Sequence, residues 1–89
     1  MGDGPPGDAD ADAKRKFGRR LRSLRRAAGL TQERLGELAG LHRTFITHME
    51  KGETSPTLVT ILRLARGLGV RPGALLDDLV DQPTRPAPT

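Results

Sequence analysis

The sequence contains no cysteine, which excludes both a disulfide framework and a thiolate metal site. It has no apolar run near the ~20 residues that span a bilayer, and its first residues lack the pattern of a signal peptide. Neither an internal repeat nor an alternating strand pattern is present. We therefore expect a cytoplasmic protein without membrane contact, built as one small domain within 89 residues.

Acidic side chains are nearly absent from the middle of the chain. Between Lys14 and Leu76 there are 14 basic and four acidic residues, so this segment of 63 residues carries a net charge of +10, although the whole chain carries only +4. A segment this basic favours a polyanionic partner. The simpler alternative is a charged surface that only keeps the protein in solution.

Composition divides the chain into one domain and two tails. Residues 1–12 contain only Met, Gly, Asp, Pro and Ala, which predicts a disordered acidic N-terminal tail. Residues 81–89 contain three prolines and predict a Pro-rich C-terminal tail. The domain is expected over residues 13–80, and its apolar spacing predicts an all-α fold of five helices.

Three of these helices show apolar residues spaced to form one buried face. The first, about Ala13 to Ala28, carries Phe17, Leu21, Leu24 and Ala28. The fourth, capped by Ser55 or Thr57, carries Leu58, Ile61, Leu62, Ala65 and Leu68. The fifth, with Pro72 in its first turn, carries Leu75, Leu76, Leu79 and Val80.

The segment 31–52 predicts two short helices joined by a tight turn. Thr31 is a suitable N-cap for the second helix, and Gly40 occurs where that helix must end in a left-handed conformation. The third helix, about His42 to Lys51, has an apolar stripe and ends before Gly52. Two helices around a glycine turn, with a polar outer face on the second, are typical of a helix-turn-helix.

The residues from Phe17 to Leu79 resemble the XRE/Cro-type, lambda-repressor-like family of helix-turn-helix DNA-binding domains. The likeness rests on the GLTQ opening of the second helix, the small residue Gly36 at the expected helix crossing, the ME-G end of the third helix, the PTL start of the fourth and the LGV that follows it. The resemblance implies that the second helix lies across the DNA backbone and that the third enters the major groove.

The family pattern implies three sets of residues with roles at the DNA or in the fold. The base-reading set comprises Arg43, Thr44 and His48, flanked by Thr47 and His42. The phosphate-contacting set comprises Gln32, Arg20, Lys51, Thr54 and Ser55, with Gln32 also bracing the first base-reading residue. The third set is a structural ion pair between Arg25 and Glu50 that joins the first helix to the third.

Two of these assignments have simpler alternatives. Arg43 suits a bidentate contact with guanine, and the alternative is a contact with a phosphate. Gln32 could be an ordinary polar residue at a helix start.

The two histidines are six residues apart, a turn of about 240° around a helix. His42 and His48 therefore do not share a face, and we expect no metal site.

The leading interpretation is a sequence-specific regulator of transcription, expected to be a repressor. It would bind double-stranded DNA in the bacterial nucleoid as a homodimer on an inverted repeat, with Leu76, Leu79 and Val80 as the dimer surface. One alternative is an antitoxin or restriction-modification controller that also binds a small protein partner. Another is a helix-turn-helix that serves as a protein-interaction module. No catalytic cluster or phosphate loop is present, so we expect neither an enzyme nor a cofactor.

Overall fold

The computed structural model describes residues 7–79 as five α-helices followed by a 3₁₀ turn. The helices are α1 (Gly7–Ala27), α2 (Gln32–Ala39), α3 (Arg43–Glu50), α4 (Leu58–Leu68) and α5 (Pro72–Leu76), and the 3₁₀ turn spans Asp77–Leu79. Residues 7–79 contain no strand, so the predicted all-α class with five helices is confirmed. No helix in this range combines the length and apolar character needed to cross a membrane.

Helix α1 begins at Gly7, six residues before the predicted start at Ala13. Residues 7–12 are therefore helical, and the prediction of a disordered tail was wrong for them. Alanine favours a helix, and Asp10 lies in the first turn of α1, where the helix dipole favours negative charge. Asp12 also lies 3.2 Å from Lys16 one turn further on. Residues 1–6 and 81–89 of the predicted tails, and residue 80 at the end of the predicted domain, lie outside the described residues.

The core lies where α1, α2, α3 and α4 meet, and α5 closes one end of it. Its six fully buried large side chains come from all five helices: Leu21, Leu35, Ile46, Met49, Leu64 and Leu75. The predicted stripe of α1 is confirmed at Phe17 and Leu21, and Leu24 packs against the core. Ala28 follows the end of α1 and is exposed, so its predicted burial was wrong.

Helix α4 is rotated from the predicted orientation. Leu58 and Leu62 were expected in the core but are 72% and 46% exposed, whereas Leu64 is fully buried. Ala65 and Leu68 are buried as predicted. Because α4 carries more apolar residues than one face can hold, its spacing alone does not decide which of them turn inward.

Two glycines set the position of α3. A Cβ on Gly36 would lie 2.5 Å from the carbonyl oxygen of Leu41 and 3.5 Å from the backbone nitrogen of Arg43, so the close approach of the turn and the start of α3 to α2 requires this glycine. A Cβ on Gly18 would lie 2.7 Å from the carbonyl oxygen of Glu50 and closer still to that of Met49. Helices α1 and α3 therefore meet backbone to backbone at Gly18, a contact that the sequence did not reveal.

Candidate nucleic-acid interface

The α2–turn–α3 unit is held by caps at its helix ends. Thr31 accepts a hydrogen bond at its hydroxyl oxygen from the backbone N–H of Arg34, at 3.0 Å. Gly40 has φ of 70°, and its N–H donates to the carbonyl of Gly36. Both predicted roles are confirmed. His42 is the N-cap of α3, and its Nδ1 accepts from the N–H of Thr44 at 3.0 Å. The imidazole ring thus caps the helix expected to read DNA.

Helix α3 presents one continuous polar face. Ile46 and Met49 are fully buried, which directs the other side of the helix away from the core. The residues of that outer side are exposed, apart from the half-buried Thr47: Arg43, Thr44, Thr47, His48 and Lys51. Four of the five predicted base-reading side chains therefore share this face, and His42 lies at its N-terminal end.

A buried ion pair fixes the far end of α3 to α1. Arg25 donates from Nε to Glu50 Oε2 at 2.6 Å and from Nη2 to Glu50 Oε1 at 3.0 Å, so the ion pair that the sequence predicts is present and bidentate. Nη1 of Arg25 donates to the carbonyl of Leu30 at 2.8 Å. The hydrogen bond from Glu50 raises the pKa of Arg25 above its ordinary value, against the opposing effect of burial. This pair orients α3 on the body of the protein.

Gln32 extends this network to the start of α2. Its Nε2 donates to Glu50 Oε1 at 3.0 Å, and its Oε1 accepts from the hydroxyl of Thr47 at 2.8 Å. The resemblance implied that Gln32 braces the first base-reading residue, and in the structure its side chain contacts Thr47, a flanking member of the base-reading set. One amide hydrogen of Gln32 stays available for a further acceptor.

Arg20, one of the predicted phosphate-contacting residues, forms contacts within the protein. It donates from Nε to the carbonyl of Ala74 at 2.7 Å and lies 3.6 Å from Asp77, so it holds α5 against α1. Arg20 is two residues from Gly18, about 200° around the helix, and therefore lies on the opposite side of α1 from α3. This geometry disfavours the predicted phosphate contact.

Arg22 is a candidate that sequence reasoning missed. It lines one depression at the place where α1, α2 and α3 come together, and the other lining residues are Arg25, Gln32, Thr47, Glu50 and Lys51. The available signal was its spacing of three residues from Arg25, which places both on one side of α1. Arg22 is also one of four exposed arginines at helical spacing, here called the basic stripe of α1: Arg15, Arg19, Arg22 and Arg26.

The loop after α3 contains the remaining predicted phosphate-contacting residues. Lys51 and Ser55 are exposed and Thr54 is half-buried. Glu53 lies among them, with its Oε1 at 2.6 Å from Nδ1 of His48. The pKa of the Glu53 carboxyl is below its ordinary value, chiefly because of this hydrogen bond. A predicted base-reading residue is thus paired with an acidic side chain that the sequence analysis did not single out.

The predicted dimer surface is only partly described. Leu76 is 39% exposed, whereas Leu79 is half-buried and packs against the core. Val80 lies outside the described residues. Helix α4 contributes further exposed apolar side chains at Leu58, Val59 and Leu62. Over the range whose side chains are described, no group of three or more potential metal-ligating residues comes together.

Comparison with known proteins agrees with this geometry. A family model described as a helix-turn-helix domain matches residues 16–79. Control protein C.SmaI of Serratia marcescens is 40% identical over 72 residues, covering 78% of this chain and 86% of that protein. The restriction-modification controller protein C.AhdI of Aeromonas hydrophila has a crystal structure that matches with a TM-score of 0.68 and 47% identity, over 70% of this chain and 94% of that one. An HTH_3 family transcriptional regulator of Vibrio cholerae matches with a TM-score of 0.72 and 30% identity, over 74% of this chain and 37% of that one.

These matches define a helix-turn-helix protein. The chain belongs to the XRE-like helix-turn-helix family, as the resemblance in the sequence implied, and it is a DNA-binding transcriptional regulator.

Proposed function

We propose that this regulator binds an inverted-repeat operator as a homodimer and represses transcription from it. The observation that carries the proposal is the exposed face of α3, where Arg43, Thr44 and His48 lie together. The buried ion pair between Arg25 and Glu50 fixes this helix to α1. Arg43 can donate two hydrogen bonds to a guanine, and Thr44 can contact a thymine methyl or a polar base edge. Because the partner is DNA, we expect the protein to act in the cytoplasm.

Phosphate contacts are assigned to the residues around the base-reading face. Gln32, Arg22 and Lys51 surround one depression beside α3, and this arrangement suits a single phosphate group. The basic stripe of α1 runs about 16 Å along the helix from Arg15 to Arg26 and adds sequence-independent attraction. We assign to Arg22 the phosphate contact that the sequence predicted for Arg20. Thr54 and Ser55 stay proposed contacts of the loop after α3.

A homodimer is proposed because one recognition helix reads only a short half-site. Two copies related by twofold symmetry would read half-sites about 10 base pairs apart. The apolar side chains available for this contact include Leu76 on α5 together with Leu58 and Leu62 on α4. Sedimentation at increasing protein concentration tests this part, and a Leu76→Asp variant should shift the protein toward monomer.

Base-reading and phosphate-contacting roles predict different binding defects. With a duplex selected from a random pool, Arg43→Ala should relax discrimination at one base pair by a factor that corresponds to about 1–3 kcal/mol. Lys51→Ala should weaken the binding of all duplexes equally and reduce the dependence of affinity on salt by about one phosphate contact. Arg66→Ala, which removes an exposed charge on α4, is the matched control. Equal effects of all three variants on every duplex would contradict the proposal.

The likeness to two control proteins favours a second candidate, a restriction-modification controller. Such a protein would use the same α3 face, so the genomic location of the operator distinguishes a controller from a general regulator. Bound sites adjacent to genes for an endonuclease and a methyltransferase would support the controller. Sites that lie elsewhere in the genome would support a general regulator.

A further inference from the structure

The turn after α3 brings Glu53 back onto the helix. Gly52 has φ of 77°, its N–H donates to the carbonyl of Met49, and the N–H of Glu53 donates to the carbonyl of His48, both at 3.0 Å. The bond from Glu53 to His48 is the long bond of a Schellman motif. This backbone arrangement places the Glu53 carboxylate at 2.6 Å from Nδ1 of His48. The contact is therefore a product of local geometry within six residues.

The contact determines which ring nitrogen of neutral His48 carries the proton. An ionised carboxylate can only accept hydrogen bonds, so Nδ1 must donate and therefore keeps its hydrogen. The carboxyl of Glu53 is ionised at neutral pH, since its pKa lies below the ordinary value. Nε2 of the neutral ring then has a lone pair and no hydrogen. His48 consequently offers an acceptor to its surroundings.

His42 shows the opposite arrangement. Its Nδ1 accepts from the N–H of Thr44 and so carries no hydrogen, which leaves Nε2–H as a donor in the neutral ring. The two histidines of the chain therefore have opposite tautomers, each set by a contact within α3 or its adjoining turns. His42 provides an internal reference for any measurement on His48.

We propose that Glu53 is a specificity-determining residue that makes His48 read cytosine or adenine. In the neutral form of the His48 ring, it does so by holding Nε2 as an acceptor for the amino group that these two bases present in the major groove. Guanine presents two acceptors there and thymine presents one acceptor and a methyl group, so neither can donate to Nε2. The inference rests on the proposed function, since it places His48 at a base pair. Glu53 acts as a positioning residue through His48 and needs no contact with DNA.

The first test measures tautomers in the free protein and does not depend on DNA. Long-range proton–nitrogen NMR correlations of the two imidazole rings are recorded at about pH 8.5, where histidine side chains are ordinarily neutral. His48 should show the Nδ1–H form and His42 the Nε2–H form. Glu53→Gln, whose amide can donate or accept, should move His48 toward a mixture and leave His42 unchanged. A wild-type His48 in the Nε2–H form would overturn the proposal.

The second test measures base preference at the same pH. The base pair contacted by His48 is the one at which His48→Ala loses discrimination, and four duplexes vary only that pair. Wild-type protein should prefer cytosine or adenine at the contacted base by about fivefold, the lower end for one base contact. Glu53→Gln should lose this preference and keep the discrimination due to Arg43. Asp78→Asn, which removes an exposed charge on the 3₁₀ turn, should behave as wild type.

Two outcomes distinguish a failure of the role proposed for Glu53 from a failure of the proposed function. Sequence-specific binding that is identical in wild type and Glu53→Gln would overturn the role of Glu53 and leave the proposed function intact. Absence of any sequence preference in the wild-type protein would overturn the proposed function and, with it, the reading of a base by His48.

Discussion

Removal of the Glu50 carboxylate should destabilise the protein by about 2–4 kcal/mol. The side chain is only 4% exposed and accepts two hydrogen bonds from Arg25 and one from Gln32. Glu50→Ala leaves a guanidinium that is 11% exposed, with the Leu30 carbonyl as its remaining protein acceptor. Breaking a buried ion pair costs roughly 3–5 kcal/mol, and the bond to Leu30 together with the residual exposure of Arg25 lowers that value.

Circular dichroism during urea and thermal unfolding is the suitable assay, since the chain has no tryptophan or tyrosine for fluorescence. A loss of this size corresponds to a fall in Tm of about 10–25 °C for a domain of this length. Glu37→Ala is the matched control because Glu37 pairs with Arg34 at 3.0 Å, but both side chains are 58% exposed. That control should cost less than about 1 kcal/mol.

A double substitution tests the stated cause. Arg25→Met with Glu50→Leu removes both charges and keeps most of the side-chain volume, so it should recover most of the stability that Glu50→Ala loses. It also keeps the test decisive if Glu50→Ala alone does not fold. The reasoning would be refuted if Glu50→Ala cost no more than the exposed control, or if the double variant were no more stable than Glu50→Ala.

Three further predictions follow from contacts elsewhere in the fold. Gly18→Ala should destabilise the protein by about 1–3 kcal/mol, because the added Cβ would meet backbone atoms of α3. Gly73→Ala has open space around the added Cβ and should stabilise the protein by up to about 1 kcal/mol. Urea midpoints that shift in the same direction for both variants would contradict this. Ionised Glu53 contributes stability at pH values above its ordinary pKa of 4.5, and this contribution is lost as pH falls through the lowered pKa of the folded state. The difference in stability between wild type and Glu53→Gln should therefore approach zero in acid. A difference that does not change with pH would disprove this link between the ionisation of Glu53 and stability. Arg22→Ala should reduce the salt dependence of DNA binding by about one phosphate contact. Arg20→Ala should leave the salt dependence unchanged and lower Tm. The reverse pattern in a salt titration would show that assigning the phosphate contact to Arg22 is wrong.

Features that depend on a few neighbouring residues were predictable from the sequence. Thr31 and Gly40 occur where a helix start and a helix end require them, and the structure confirms both. The buried stripes of α1 and α3 were predictable for the same reason, because each helix has one apolar side. The early start of α1 was also a local property, carried by alternating alanine and aspartate, but the composition of the whole segment pointed to disorder.

Features that depend on a distant partner were not predictable. Arg20 and Arg22 are two residues apart, so helix geometry places them on opposite sides of α1, but only the packing of α1 against α5 and α3 shows which of them lies beside α3. Gly18 has no turn to mark it, since the carbonyl oxygens that exclude a side chain belong to α3. The orientation of α4 follows from where α2 and α5 pack, so its apolar spacing could not exclude Leu58 and Leu62 from the core.

Selection of bound duplexes from a random DNA pool at about 150 mM salt tests the central claim most directly. The account predicts an inverted repeat with half-sites about one helical turn apart, preferred over scrambled sequence by ~10³ or more. Recovery of no common sequence, with affinity that follows only the salt concentration, would contradict it and reduce the exposed face of α3 to a patch of positive charge.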